Sequence, residues 1–331
     1  MKALVVNPST YTLHLQDTAM PVPGEGELLI QLKAAAINHH ELWSLKEKSL
    51  ESGFHGIIGS DGAGVVFSAG PGADPSRVGK PVVVNPSINW GEDEEIQGPG
   101  YQILGNPRQG TFAEYIAMPQ RLVNDMPDHL SFEEAAALPL AALTAYRALF
   151  TKGRLQPQQR VLLTGIGGGV ALYALQFAMA AGAQVYVTSG DAQKLQKARA
   201  LGAQGGALYH TDGWAEALQQ QAGGFDLIVD SAAGKDFAKL AEVANPKARI
   251  VLLGRTAGKI DGLNPGTLFI KQLQILGTLM GSEGEFKAML DFVSRHQLRP
   301  VIDTVFKLED TEQAFARMAE RQQMGKVVLS I

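Results

Sequence analysis

Cysteine is absent from this chain of 331 residues. That excludes disulfides, thiolate zinc sites, iron–sulfur clusters and a cysteine nucleophile together. An excess of positive charge is missing too. The 29 Lys and Arg stand against 33 Asp and Glu, a net charge of -4, which leaves no electrostatic footprint for nucleic acid or an anionic membrane. Long apolar runs are scarce. Only VALYALQFAMAAGAQVYV, residues 170–187, approaches the length of a membrane span. Its two glutamines and Gly182 mark it instead as a buried helix followed by a buried strand. The opening MKALVVNPST is too short for a signal peptide and reads as a first strand, so the expected location is the cytoplasm.

What is present is ordinary in bulk. Hydrophobic residues make up 45% and charged residues 19%, as in a soluble globular protein long enough for two domains with large cores. Glycine is abundant at 37 residues, which suggests many tight turns and close backbone approaches. Residues 1 to about 125 carry short strand-like runs, ELLIQLKAAAI, GAGVVFSAG and KPVVVNPS, separated by Pro/Gly clusters, and little of helical period. Residues 87–110 form a long, acidic, turn-rich insertion. The style changes at SFEE, a capping box of Ser131 and Glu134. Strand and helix patterns then alternate through VLLTG, QVYVTSG, FDLIVDSA and RIVLLG, which implies a parallel sheet covered on both faces. The tail adds two amphipathic helices and a last strand, KVVLSI.

The stretch TGIGGGVA runs from strand directly into helix. Gly165 allows the tight turn, while Gly168 and Gly169 remove side chains where a pyrophosphate must approach the backbone. The following helix offers free amides and the positive end of its dipole. Where a site for NAD carries an acidic residue at the end of the second strand, this chain has Ser189, with Lys194 nearby. A hydroxyl and a cation suit a 2′-phosphate and so favour NADPH over NADH. Asp191 becomes the acidic residue if the register slips by two, and Ser189 and Asp191 also read as helix caps.

At this point the sequence resembles the medium-chain dehydrogenases/reductases, in particular their zinc-free quinone oxidoreductase and enone reductase branch. The resemblance rests on AAAINHHELW, GIIGSDGAGVV, GTFAEY, LPLAALTAYRALF, TGIGGGVA, KLQKARALGA, FDLIVDSAAG, RIVLLG and GKVVLSI, in family order. It implies an α/β chain: a mostly β GroES-like substrate domain over 1–142, a doubly wound Rossmann domain over 143–279, and a return segment over 280–331 that completes the first. It also accounts for GSD at 59–61. Zinc alcohol dehydrogenases of this family carry Gly-His-Glu there, with a catalytic zinc on the histidine. Ser60 is a poor zinc ligand and no thiolate exists, so no zinc is expected. The insertion resembles the lobe that holds a structural zinc through four cysteines, here with Trp90, Tyr101, Ile103 and Leu104 as candidates for a small apolar core.

The resemblance also implies roles by position. Asn38 is the cleft asparagine that donates to a substrate oxygen, Thr144 approaches the nicotinamide, and His40 is a candidate proton donor. Val170, Tyr209, Gly254, Arg255, Leu279 and Lys326 join the glycine loop, Ser189 and Lys194 as cofactor contacts, with Lys326 reaching the phosphates. Asp61 is expected to cap or bond backbone in its glycine-rich strand. QLQILGTLM resembles the edge strand that relatives pair across a two-fold axis, which implies a homodimer. Without a Lewis acid the carbonyl is polarised by hydrogen bonds alone, so a quinone or an α,β-unsaturated carbonyl is the expected acceptor. A non-catalytic NADPH-binding sensor is the alternative. Pocket size depends on loops around residues 40–55 and 90–110.

Overall fold

The computed structural model describes residues 1–50 and 54–331. Three residues of the 40–55 loop, Glu51, Ser52 and Gly53, lie outside them. The chain divides into two compact units, one of Met1–Leu143 with Gly281–Ile331 and one of Thr144–Met280.

The first unit is built on a seven-stranded sheet that includes Glu27–Ile37, Asp61–Ala69, Pro81–Val84 and Tyr115–Pro119. Glu27–Ile37, sequence ELLIQLKAAAI, is its spine. Nearly every position of it is buried, because it pairs with Asp61–Ala69 on one side and with both Tyr115–Pro119 and Lys326–Ser330 on the other. The last strand therefore does not sit at an edge. Val327 faces Ile37 and Leu329 faces Ala35 in antiparallel register, and Ile302–Lys307 adds outside it in parallel. Two apolar clusters flank the sheet, one around Ile37, Phe112, Val327 and Leu329, the other around Leu28, Ile30, Val82 and Met118. Burying side chains of this size contributes about 1.5–3 kcal/mol each.

The insertion keeps a core of its own. Ser87–Ile88 pairs with Gln102–Ile103. Trp90 is 2% exposed, and Tyr101 presents its ring edge to it at 5.4 Å between centroids. Leu104 is buried, and Ser87 Oγ donates to the Gly281 carbonyl at 2.6 Å.

The helix His39–Lys46 lies in the region where sequence pattern shows little helical period. It spans 8 residues and carries no apolar stripe. Its start is chemically marked, because Glu41 reaches back from the third helical position to accept the Asn38 amide at 2.8 Å. At Ser131 the capping box forms in full, with Oγ accepting the Glu134 amide at 3.2 Å and Glu134 accepting the Ser131 amide at 2.9 Å.

The second unit is a six-stranded sheet, parallel throughout, in the spatial order Gly205–Leu208, Gln184–Ser189, Arg160–Leu163, Phe225–Asp230, Ala244–Leu252, Gln274–Gly277. The chain starts in the middle, winds out to one edge, returns and winds to the other. This is the doubly wound order, and its reversal at Arg160–Leu163 is where such sheets bind ligands. The apolar run at 170–187 is the helix Gly169–Ala180 followed by the strand Gln184–Ser189. Among the described residues no helix is long and apolar enough to cross a membrane.

Candidate active site

In the second unit the glycine loop leaves the strand Arg160–Leu163 with Gly165 at φ 67° and Gly167 at φ 131°. Gly168 caps the helix Gly169–Ala180. The Ile166 amide donates to the Thr188 carbonyl at 2.8 Å, which ties the loop to the neighbouring strand. A Cβ placed on Gly168 would meet nothing within 4 Å, so open space lies over the loop at the helix N-terminus. Gly169 opens that helix and Val170 follows, half-buried. Free amides and a dipole end facing open space fit a pyrophosphate.

Lys194 reaches back over this loop: a Cβ on Gly167 would come within 2.9 Å of its Cδ. Ser189 ends its strand, 2% exposed, and its Oγ accepts the Asp191 amide at 3.1 Å. Asp191 in turn caps the helix Ala192–Ala200, with Oδ1 accepting the Gln193 amide at 2.7 Å. Asp191 therefore caps the helix, one of its two sequence readings, while Ser189 holds the amide of the cap residue. The Tyr209 amide donates to the Ser189 carbonyl at 3.1 Å, and a Cβ on Gly190 would meet the Tyr209 hydroxyl at 2.5 Å. Glycine at 190 thus leaves the room in which the half-exposed phenol sits. The structure brings Gly167, Ser189, Gly190, Lys194 and Tyr209 together at the carboxyl ends of two strands.

Gly254 and Arg255 follow the strand Ala244–Leu252. Thr144 is buried, with its hydroxyl 3.8 Å from the Met280 sulfur, and Leu279 beside that methionine is 41% exposed. Sequence reasoning missed Asp230. It ends FDLIVD, buried, and accepts the Thr164 hydroxyl at 2.6 Å and the amides of Ala233 at 2.7 Å and Ala232 at 3.2 Å. Burial pushes its carboxyl up from the ordinary value, against the pull of those donors. A carboxylate directly after the apolar run LIV was the available signal.

In the first unit the AINHHEL, GSDGAG and GKVVLS motifs meet. Asp61 is fully buried. Its Oδ1 accepts the Leu140 amide at 2.8 Å, a backbone bond to the helix Pro139–Tyr146 rather than one within its own strand. Its Oδ2 accepts from Lys326 Nζ at 2.9 Å and from Asn38 Nδ2 at 2.9 Å. Lys326 Nζ also donates to Asn38 Oδ1 at 2.5 Å. Burial pushes the Asp61 carboxyl up; the Lys326 ammonium pulls it back, and Glu41 adds to the upward push. Glu41 is buried as well, accepting the Asn38 amide through Oε2 and the Ser60 amide and hydroxyl, at 3.0 and 2.8 Å, through Oε1. Ser60 Oγ also lies 3.0 Å from the Leu104 carbonyl.

This arrangement gives Lys326 partners that the sequence reading did not name. Its ammonium is 4% exposed at the side chain and donates to Asp61 and Asn38. Strand register, with Val327 opposite Ile37, points it into the sheet's interior beside Asp61. His40 is half-buried on the same helix as Glu41 and lines a small crevice with Ser44, Ile58, Gly59 and Leu104.

The donor set does not fit a zinc ion. The serine at 60 is bonded to a carboxylate and a carbonyl, a buried ammonium sits beside Asp61, and the chain has no thiolate. Among the described residues no group of three His, Cys, Asp or Glu side chains gathers as a metal site. A separate cavity of about 470 Å³, lined by Gln16, Glu27, His55, Arg108 and Tyr115 among others, holds none of these site residues.

Residues 24–128 match the alcohol dehydrogenase GroES-like domain, and residues 169–295 match the zinc-binding dehydrogenase domain. A zinc-type alcohol dehydrogenase-like protein of Leptosphaeria maculans is 36% identical, over 97% of this chain and 95% of its own. A quinone-oxidoreductase homolog of Spinacia oleracea is 28% identical over 95% of this chain and 92% of its own, and a crotonyl-CoA reductase of Streptomyces avermitilis is 27% identical over 96% and 81%. A solved structure described as an NAD-dependent alcohol dehydrogenase superposes with a TM-score of 0.92 at 35% identity, covering both chains in full. The chain is therefore an oxidoreductase of the medium-chain dehydrogenase/reductase family, the family of the alcohol dehydrogenases.

Proposed function

We propose that this protein is an NADPH-dependent, zinc-independent reductase that passes hydride to a quinone or an α,β-unsaturated carbonyl. One observation carries the reading: an ammonium, an amide and a carboxylate form a closed set beside Ser60, where zinc-dependent relatives carry a histidine ligand. A carbonyl there meets hydrogen-bond donors and no Lewis acid, which favours acceptors with low barriers to hydride. The names of two relatives, a crotonyl-CoA reductase and a quinone-oxidoreductase homolog, support that class.

The first unit is read as the substrate domain and the second as the dinucleotide domain. The bound cofactor supplies hydride from nicotinamide C4. Gly165, Gly168, Gly169 and Val170 take the pyrophosphate. Ser189, Lys194 and Tyr209 take the adenosine end, Gly254 and Arg255 the adjoining carboxyl edge, and Thr144 and Leu279 the nicotinamide side. Asn38 donates to the acceptor oxygen, and His40 or a water returns the proton. NADPH is favoured because Ser189 brings no carboxylate and Asp191 spends an oxygen on its helix cap. NADH is the second reading, favoured by the relative described as NAD-dependent. A homodimer through the strand Gln274–Gly277 accords with that strand's edge position and the exposed Phe269, Ile270 and Ile275. The cytoplasm is the proposed location.

The test is chelator-treated protein with NADPH or NADH, followed at 340 nm after addition of a quinone or an enone. Rapid oxidation of NADPH by either acceptor supports the reading. Tight NADPH binding without turnover refutes it in favour of a sensor, and a clear NADH preference overturns the assignment of Ser189 and Lys194.

A further inference from the structure

Asn38 is gripped at both ends of its amide by opposite charges. We propose that Lys326 and Asp61 are positioning residues that fix and polarise this amide, so that a buried cation acts on the acceptor through the asparagine. The proposal rests on the reading that Asn38 meets the acceptor oxygen.

The orientation of the amide is decided by chemistry. An ammonium only donates and a carboxylate only accepts. Oδ1 must therefore face Lys326, at 2.5 Å, and Nδ2 must face Asp61, at 2.9 Å. The flipped amide would set its NH2 against an ammonium and its carbonyl against a carboxylate. The ion pair closes the triangle at 2.9 Å, so the amide cannot turn without losing its bonds to both charges. The backbone is pinned as well: Glu41 holds the Asn38 amide with one oxygen and Ser60 with the other. The members come from a helix N-terminus and two separate strands, Asp61–Ala69 and Lys326–Ser330.

One Nδ2 proton is spent on Asp61 and one is left. Charge drawn towards Lys326 at Oδ1 leaves Nδ2 more positive, and in a buried setting that polarisation is weakly screened. The remaining N–H is then a stronger and better aimed donor than an ordinary asparagine supplies. Donors fixed in advance are the ones that lower barriers to developing oxyanions.

The experiment is a double-mutant cycle on kcat/KM for NADPH-dependent reduction of 1,4-benzoquinone and of 2-cyclohexenone. Far-UV circular dichroism and NADPH affinity serve as checks on folding. Asn38→Ala is expected to lose about 10²–10³-fold, as for removal of one oxyanion donor. Lys326→Met is expected to lose roughly 10- to 100-fold in kcat, with KM for NADPH within about twofold. In the Asn38→Ala background Lys326→Met should cost no more than about twofold, because its route to the acceptor is gone. Full multiplicative losses in both backgrounds, or an active Lys326→Met, overturn the proposal. Full activity in Asn38→Ala overturns the reading of Asn38 beneath it, a distinct result. Lys326→Gln keeps a donor without the charge; it covers the case in which Lys326→Met does not fold. Its rate should fall between wild type and Asn38→Ala, and wild-type activity would remove polarisation from the account.

Discussion

Replacing Asp61 by asparagine puts the buried set to a thermodynamic test. The carboxylate accepts on both oxygens: Oδ1 from the Leu140 amide, Oδ2 from Lys326 and Asn38. An asparagine accepts through one oxygen only. Its NH2 must then face either the Leu140 N–H or the ammonium, donor against donor, and the Lys326 charge stays buried without a counter-ion. Removing one partner from a buried pair costs about 3–5 kcal/mol. For a unit of this size each kcal/mol moves the melting temperature by about 2–4 °C, so Asp61→Asn should lower the transition of the first unit by roughly 6–20 °C. Differential scanning calorimetry near pH 7 reads this directly and resolves the two units if they melt apart. The double variant Asp61→Asn/Lys326→Met removes both charges and should be more stable than the summed single losses allow, with a coupling of about 1–3 kcal/mol. A loss below about 1 kcal/mol for Asp61→Asn, the range of exposed pairs, would refute the argument.

Other consequences are equally open to measurement. Gly168→Ala places a methyl where nothing lies within 4 Å, so the melting temperature should hold while NADPH affinity, read by fluorescence, falls by about tenfold or more. Lys194→Ala should weaken NADPH binding by about tenfold and leave NADH nearly unchanged, as expected for loss of one charge-assisted contact to phosphate. Trp90→Ala should cost about 3–5 kcal/mol in calorimetry, because the indole is 2% exposed at the centre of the insertion's core. Burial alone would push the Asp303 carboxyl up, but bonds from Arg317, the Met324 amide and Thr304 hold it below its ordinary value. A depressed carboxyl stabilises the fold above its unfolded value of 3.8 and loses that contribution as pH falls through the folded value. Asp303→Asn should therefore cost about 1–3 kcal/mol at pH 7 in urea unfolding, a gap that narrows in acid.

What was legible in the sequence was what neighbours along the chain decide. The glycine loop could be read because strand, turn and helix follow one another from Arg160 to Ala180. The Ser131–Glu134 cap could be read because its two bonds span three residues. The core of the insertion was visible as aromatic and aliphatic residues in an otherwise polar stretch. The partners of Lys326 were not legible for the opposite reason. Its partner Asp61 is 265 residues away, and only the register of the last strand on Glu27–Ile37 brings them together. The bonds that Glu41 makes to Asn38 and Ser60 were not legible because the helix that carries it has 8 residues and no apolar stripe. The pattern Asn38-x-x-Glu41 was its one local sign.

The place of the strand Lys326–Ser330 has a consequence for synthesis. The chain leaves the ribosome from its amino end, and this strand fills an interior position of a sheet begun some 290 residues earlier in sequence, as the Lys326–Asn38 separation of 288 records. The Thr144–Met280 unit is continuous and is complete before the strand is made. Until the strand arrives, the Ala34–Ile37 end of Glu27–Ile37 shows an open edge and Asp61 lacks the Lys326 ammonium. A nascent chain can thus hold the finished Thr144–Met280 unit while the Asn38 amide still lacks its bond to Lys326.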